Sequence, residues 1–153
     1  MSSLYGVLKV VHVLSVVVWI GGAAALGALV AWLARSRDRA TLATFLPLAG
    51  RYGQRMGGPS SILVLLSGVG MMIAGKVGMA LWIGLGLAGI LVHFLYAATI
   101  MRKRTMAFAR LVSDPAVDDA RIADAGAGLR RTNLIYMLIM ASVIVVMVVK
   151  PTM

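Results

Sequence analysis

Four apolar runs divide this chain: Tyr5 to Ala34, Ser60 to Ala74, Met79 to Met101, and Leu134 to Val149. Of all its Lys, Arg and Asp residues, only Lys9 falls inside one of them. A helix needs roughly 20 mainly apolar residues to cross a bilayer, and the first and third runs satisfy this directly. The second and fourth are shorter, but each is preceded by a stretch of helical character, TLATFLPLAGRYGQRM before Ser60 and ARIADAGAGLRRTN before Leu134. The spacing therefore predicts an all-α fold. It is a single four-helix transmembrane bundle over residues 1–153, with helices 2 and 4 extended beyond the lipid into the cytoplasm. Gly57-Gly58-Pro59 reads as a kink or a fresh helix start, since proline is tolerated in a first turn. Asp118 or Asp119 is placed to cap the helix leading into the fourth run. The first run is too long for a signal peptide and lacks a clear cleavage site, so it reads as a retained helix.

At 61% hydrophobic residues, the chain would overfill a soluble core of its size, so the lipid bilayer is its first expected partner. The net charge of +10 does not indicate nucleic acid, because the arginines flank apolar runs. They set topology instead. Arg35, Arg37, Arg39, Arg51 and Arg55 separate runs 1 and 2. Arg102, Lys103, Arg104, Arg110, Arg121, Arg130 and Arg131 separate runs 3 and 4. Only Lys9, Lys76 and Lys150 fall on the other side. The bias places two long loops in the cytoplasm and both termini outside. The expected location is the bacterial cytoplasmic (inner) membrane.

Missing residue types narrow the chemistry. There is no cysteine and no glutamate, and the five aspartates all lie in the arginine-rich segments. Disulfides and thiolate metal sites are excluded. No intramembrane carboxylate is present to relay protons, and no carboxylate pair for acid–base work. Ser15, Ser67 and Ser142 lack a nearby acid, and membrane serines commonly bond their own backbone. The glycine-rich stretches GVGMMIAG and GLGLAG lie within apolar helices, where they read as packing faces. No catalytic residue is singled out.

Two histidines remain, His12 and His93, each inside an apolar run. An ionisable group at such a place is a functional candidate. Gly86, Gly89 and Ala97 share the helix face of His93. That small-residue strip either seats a neighbouring helix, with His93 bonding a carbonyl across it, or forms a shelf for a macrocycle. In the second case the imidazole holds the metal of a haem b or a chlorin, and Gly89 lies beneath the ring. His12, near Lys9, is either an interfacial polar residue or a ligand. The two histidines differ in depth by roughly 10 Å at 1.5 Å per residue. Axial nitrogens on one metal lie only about 4 Å apart, so one haem shared by both is disfavoured. Met71, Met72, Met79 and Met147 gather at the helix ends on the side of His12, and thioethers suit Cu(I). They also fill gaps in apolar bundles.

LKVVHVLSVVVWIGG, Pro59 followed by Ser67-Gly68, the late histidine of run 3 with MRKR after it, and MVVKP at the end together resemble a family of small bacterial integral membrane proteins of unknown function. That family is similar to copper-resistance-D-like proteins and, more distantly, to the four-helix protoporphyrinogen oxidases. The resemblance implies four helices and makes His12 and His93 motif positions. The oxidase branch implies haem at the histidine of helix 1 and a lysine early in helix 3. Here Trp82 stands at about that place, and Lys76 lies before the run.

Three functions remain open. The first is a non-catalytic accessory or stabilising subunit of a larger membrane complex, energy-transducing or pigment-containing, packed against other membrane subunits. The second is a haem-b electron-transfer or oxidase-like protein using His93, His12 or both. The third is a copper-handling membrane protein.

Overall fold

In a computed structural model, described for residues 3–36 and 38–151, the chain forms four long helices: α1 (Ser3–Ser36), α2 (Arg39–Ala74), α3 (Leu81–Ser113) and α4 (Asp119–Val149). All four are long and apolar enough to cross a membrane. Arg37 and the chain ends, on which the placement of the termini bears, lie outside the described residues.

The two long loops of the sequence reading are absent. Helices α3 and α4 are joined by residues 114–118 alone, and α1 reaches Ser36 while α2 begins at Arg39. The segment RKRTMAFARLVS contains no breaker, and its Phe108 and Val112 are buried, so helix α3 runs on through it. The stretches before runs 2 and 4 are helical as expected, but α3 is extended in the same way.

Local chemistry explains the ends. Asp38 caps α2, accepting from the Thr41 amide at 3.0 Å and the Thr41 hydroxyl at 2.6 Å. These bonds hold its carboxyl below the usual carboxylate range. The cap is therefore present at neutral pH and lost as pH falls through that lowered pKa. Asp118 caps α4 through the Arg121 amide at 2.7 Å, while Asp119 is the first helical residue. At the turn after α3, Arg39 reaches across from α2. Its guanidinium donates to the carbonyls of Val112 and Val117 at 2.8 Å each, and to that of Asp114. One side chain thus satisfies carbonyls left over at a helix C-terminus, where a cation is also favoured by the dipole.

Three of the helices contain a single π-helical turn: Val17–Gly21 in α1, Gly53–Gly57 in α2 and Ala97–Met101 in α3. The second lies directly before Pro59. A proline ring clashes with the carbonyl four residues back, and a widened turn accommodates it. The Gly-Gly-Pro stretch therefore neither stops nor restarts α2; helix continues through it.

The packing differs between the two ends of the bundle. At the arginine-rich end, Leu33, Ala34, Leu42, Leu46, Phe108, Val112, Ile122 and Leu129 form a core like that of a soluble bundle. Gly126 lets α4 come close, since a Cβ there would stand 2.9 Å from that of Ala34. In the apolar part the buried cluster is small, Trp19, Val64 and Met140. Leu14, Leu66, Leu91 and Leu138 instead point outward, each about 60% exposed. Helices with apolar residues on the outside need a nonpolar solvent around them.

Candidate functional site: two histidine-lined cavities

The two histidines occupy different cavities, each of about 360 Å³ and so within the range of small-molecule sites. His12 lines one toward the end carrying Lys9, Lys76 and Lys150; His93 lines one toward the arginine-rich end. Trp19, about two turns beyond His12 in α1, packs edge-on to His93 at 4.8 Å between ring centroids. The separation in depth read from the sequence is thus built into the packing.

The lysine-side cavity lies among all four helices. His12 comes from α1, and its Nδ1 is 2.9 Å from the Val64 carbonyl and 3.1 Å from the Ser67 hydroxyl of α2. A carbonyl only accepts, so Nδ1 carries the proton and Nε2 bears the lone pair. Ser67 directs its own hydrogen to the Leu63 carbonyl, leaving its oxygen to accept. Gly68 lies beside the ring; a Cβ there would be 3.5 Å from His12 Cε1. Met71, Met72 and Met147 line the same cavity, with Lys9 and Lys150 at its rim. The Lys150 ammonium stands 5.3 Å from the Trp82 ring centroid, a cation–π contact. Met79, grouped with these methionines by sequence, is 70% exposed. Among the described residues no group of three or more His, Cys, Asp or Glu converges on a point. The donors here are one imidazole and thioethers.

His93 is 2% exposed, and its Nδ1 has no hydrogen-bond partner. Trp19, Phe94 and Tyr136 surround the ring, with centroids 4.8, 5.8 and 4.4 Å away. The glycine shelf is not open. A Cβ on Gly86 would meet Met147, and one on Gly89 would meet Val143, so α4 lies against that face. Of the two readings of the strip, a helix covers it. The carbonyl expected to receive His93 in that case is missing. A macrocycle resting on Gly86 and Gly89 does not fit, and Gly89 serves helix packing.

All three π-turns contribute to the wall of the His93 cavity, through Trp19, through Gly53 and Gly57, and through Ala97 and Met101. Such turns recur at functional sites. The Tyr52 hydroxyl ties α2 to the Val18 carbonyl of the first π-turn at 3.1 Å, and Tyr96, just before the third, donates to Thr132 O of α4 at 3.1 Å. Neither tyrosine was signalled by sequence, since each acts on a backbone group 34 or 36 residues away.

Of the three serines singled out in the sequence, Ser67 and Ser142 bond carbonyls of their own helix. Ser61 and Ser142 bond the carbonyls of Gly58 and Ile139 at 2.7 Å. No family model, curated protein or solved structure shows significant similarity to the chain.

Proposed function

We propose that the chain is a non-catalytic multi-pass protein of the bacterial cytoplasmic membrane that holds a haem b in its lysine-side cavity. In this reading it is an electron-carrying or stabilising subunit of a larger membrane complex. The observation that carries the reading is the fixed state of His12. Ligating histidines typically donate their second ring N–H to a carbonyl or carboxylate, which sets the tautomer and raises ligand basicity. Val64 does this here, leaving Nε2 as the donor atom. His12 would hold the iron, Met71, Met72 and Met147 would offer thioethers in the same cavity, and Lys9 and Lys150 would suit the haem carboxylates. A bound haem supplies one-electron redox chemistry. The same cavity chemistry serves a chlorin. His93 is not used in this reading, because no carbonyl or carboxylate holds its Nδ1 and fixes a ligating tautomer.

Purification in mild detergent from haem-replete cells should give a Soret band and co-purifying subunits. His12→Ala should lower haem per chain at least tenfold, and Ser67→Ala less, as expected for an outer partner. Haem retained in full by His12→Ala would sink the assignment. Three thioethers beside one imidazole also favour a second reading, Cu(I). It expects copper, not haem, in the purified protein, and loss of that copper when Met71, Met72 and Met147 are changed to leucine.

The orientation follows from charge. Helices of 31–36 residues are about 45–55 Å long, whereas the hydrocarbon core is about 30 Å thick. The surplus turns carry the arginines and the soluble-type core, which suits a cytoplasmic end. The chain has no native cysteine, so labelling is free of background. A Gly78→Cys variant should react with an impermeant thiol reagent from outside, and Ala116→Cys only after permeabilisation. The reverse pattern would invert the topology.

A further inference from the structure

We propose that the arginine-side cavity binds the ring of a prenylated quinone or quinol, with His93 holding one ring oxygen. This site is independent of the haem assignment at His12 and goes beyond it.

Three observations converge on the cavity. First, His93 is nearly fully buried and its Nδ1 is unsatisfied. A buried polar atom without a partner is costly and rare; Nδ1 is closed off in this packing, and a turn of the ring, which lines the cavity, brings it onto a ligand atom and gains a bond no residue supplies. Second, the walls are apolar and aromatic, with Trp19, Phe94, Tyr52 and Tyr136 among them. Trp19 and Phe94 lie within 20° of parallel. Third, the π-turns of three helices all contribute to its wall.

The ligand class follows from what these features accept. An acyl chain fills apolar space but leaves Nδ1 bare. A water beside the imidazole would meet rings on three sides, whereas buried water needs two to four polar partners. A macrocycle's metal asks for an imidazole whose second nitrogen is held by a carbonyl or carboxylate, and the His93 Nδ1 has no such partner. A flat ring carrying an oxygen at each end answers all the features. Neutral imidazole offers one N–H and one lone pair; a quinone carbonyl takes the first, and a quinol hydroxyl takes either. Tyr136, which touches His93, lies one turn from Asn133 on the same face of α4, about 4.5 Å along the axis. Asn133 also lines the cavity, with its amide against Gly27 of α1. It is placed to meet the second oxygen. A prenyl tail gives the ligand its residence in the bilayer, from which a cavity between membrane helices is filled.

The test uses the full chain in nanodiscs, with Trp32→Phe and Trp82→Phe leaving Trp19 as the sole indole reporter. A decyl-substituted benzoquinone, which quenches indole fluorescence, is titrated in. Saturable quenching is expected. His93→Leu, which keeps an apolar side chain of similar size, should weaken it at least tenfold, and Ala97→Phe, which puts a ring into the cavity one turn beyond His93, should abolish it. Asn133→Leu should weaken it severalfold. Non-saturating quenching equal in all variants would show partition into lipid only and overturn the proposal. So would saturable quenching that neither His93→Leu nor Ala97→Phe changes. Displacement of the quinone by haemin, with a Soret shift that depends on His93, would assign the cavity to a tetrapyrrole instead. Haem content measured in the protein with its native tryptophans reports on the His12 cavity, so failure of one assignment is distinguishable from failure of the other.

Discussion

Phe108→Ala should destabilise the arginine-rich end by about 3–5 kcal/mol, the usual cost of removing a buried aromatic ring. Phe108 is 1% exposed and stands at the centre of the core formed by Leu33, Leu42, Val112, Ile122 and Leu129. It also packs against Gly126, where α4 approaches α1 too closely for a larger residue to fill the space. The hole left by alanine would therefore persist. Limited proteolysis should show faster cleavage around residues 102–118, with the apolar halves of the helices still protected. The matched control is Leu134→Ala. That leucine is 58% exposed, so its loss should change little in lipid. Equal protease resistance of the Phe108→Ala protein and the parent would show that this core does not hold the end together.

His93→Leu should stabilise the ligand-free protein. The substitution removes a buried nitrogen that has no partner while keeping an apolar group among Trp19, Phe94 and Tyr136. An unsatisfied buried polar group costs about 1–3 kcal/mol, and relief of that cost should raise Tm by roughly 2–4 °C per kcal/mol for a chain of this size. A polar residue kept against stability is a mark of functional sites. The measurement is a thermal melt of both proteins with no quinone or haem added. A lower Tm in the variant would mean that His93 finds a structural partner in the membrane, and the case for a ligand at that atom would fall with it.

The four helices were legible because charge, Lys9 apart, is absent from the apolar runs and abundant between them. Their lengths were not. Nothing in MRKRTMAFARLV marks an end to α3, and the positive charges that signal a membrane boundary say nothing about where helix stops. Asp118 reads as a cap from its position before a helical stretch; Asp38 carries no such mark, because the charged segment around it reads as loop. Both histidines stood out as polar residues in apolar surroundings. Their neighbours did not. The carbonyl that fixes His12 lies 52 residues away, and side-chain type carries no information about which backbone carbonyl a helix presents. Small residues beside His93 signalled a close approach, but a strip of glycines looks the same whether a helix or a ligand lies on it. The π-turns have no sequence signature beyond Pro59, since they arise from how the helices must fit together.

The π-turn in α1 changes which helices that segment can serve. An added residue advances the angular position of everything after it by about 100°, less what the wider turn absorbs. Before Val17 the helix packs on the second half of α2; after Gly21 it packs on α4 and the first half of α2. One rod thus presents two unrelated seams, joined by a phase slip at mid-length. Substitutions in its first half and in its second half therefore belong to different interfaces. A single-residue deletion between Val17 and Gly21 would leave the composition almost untouched while turning the far half toward the wrong neighbours.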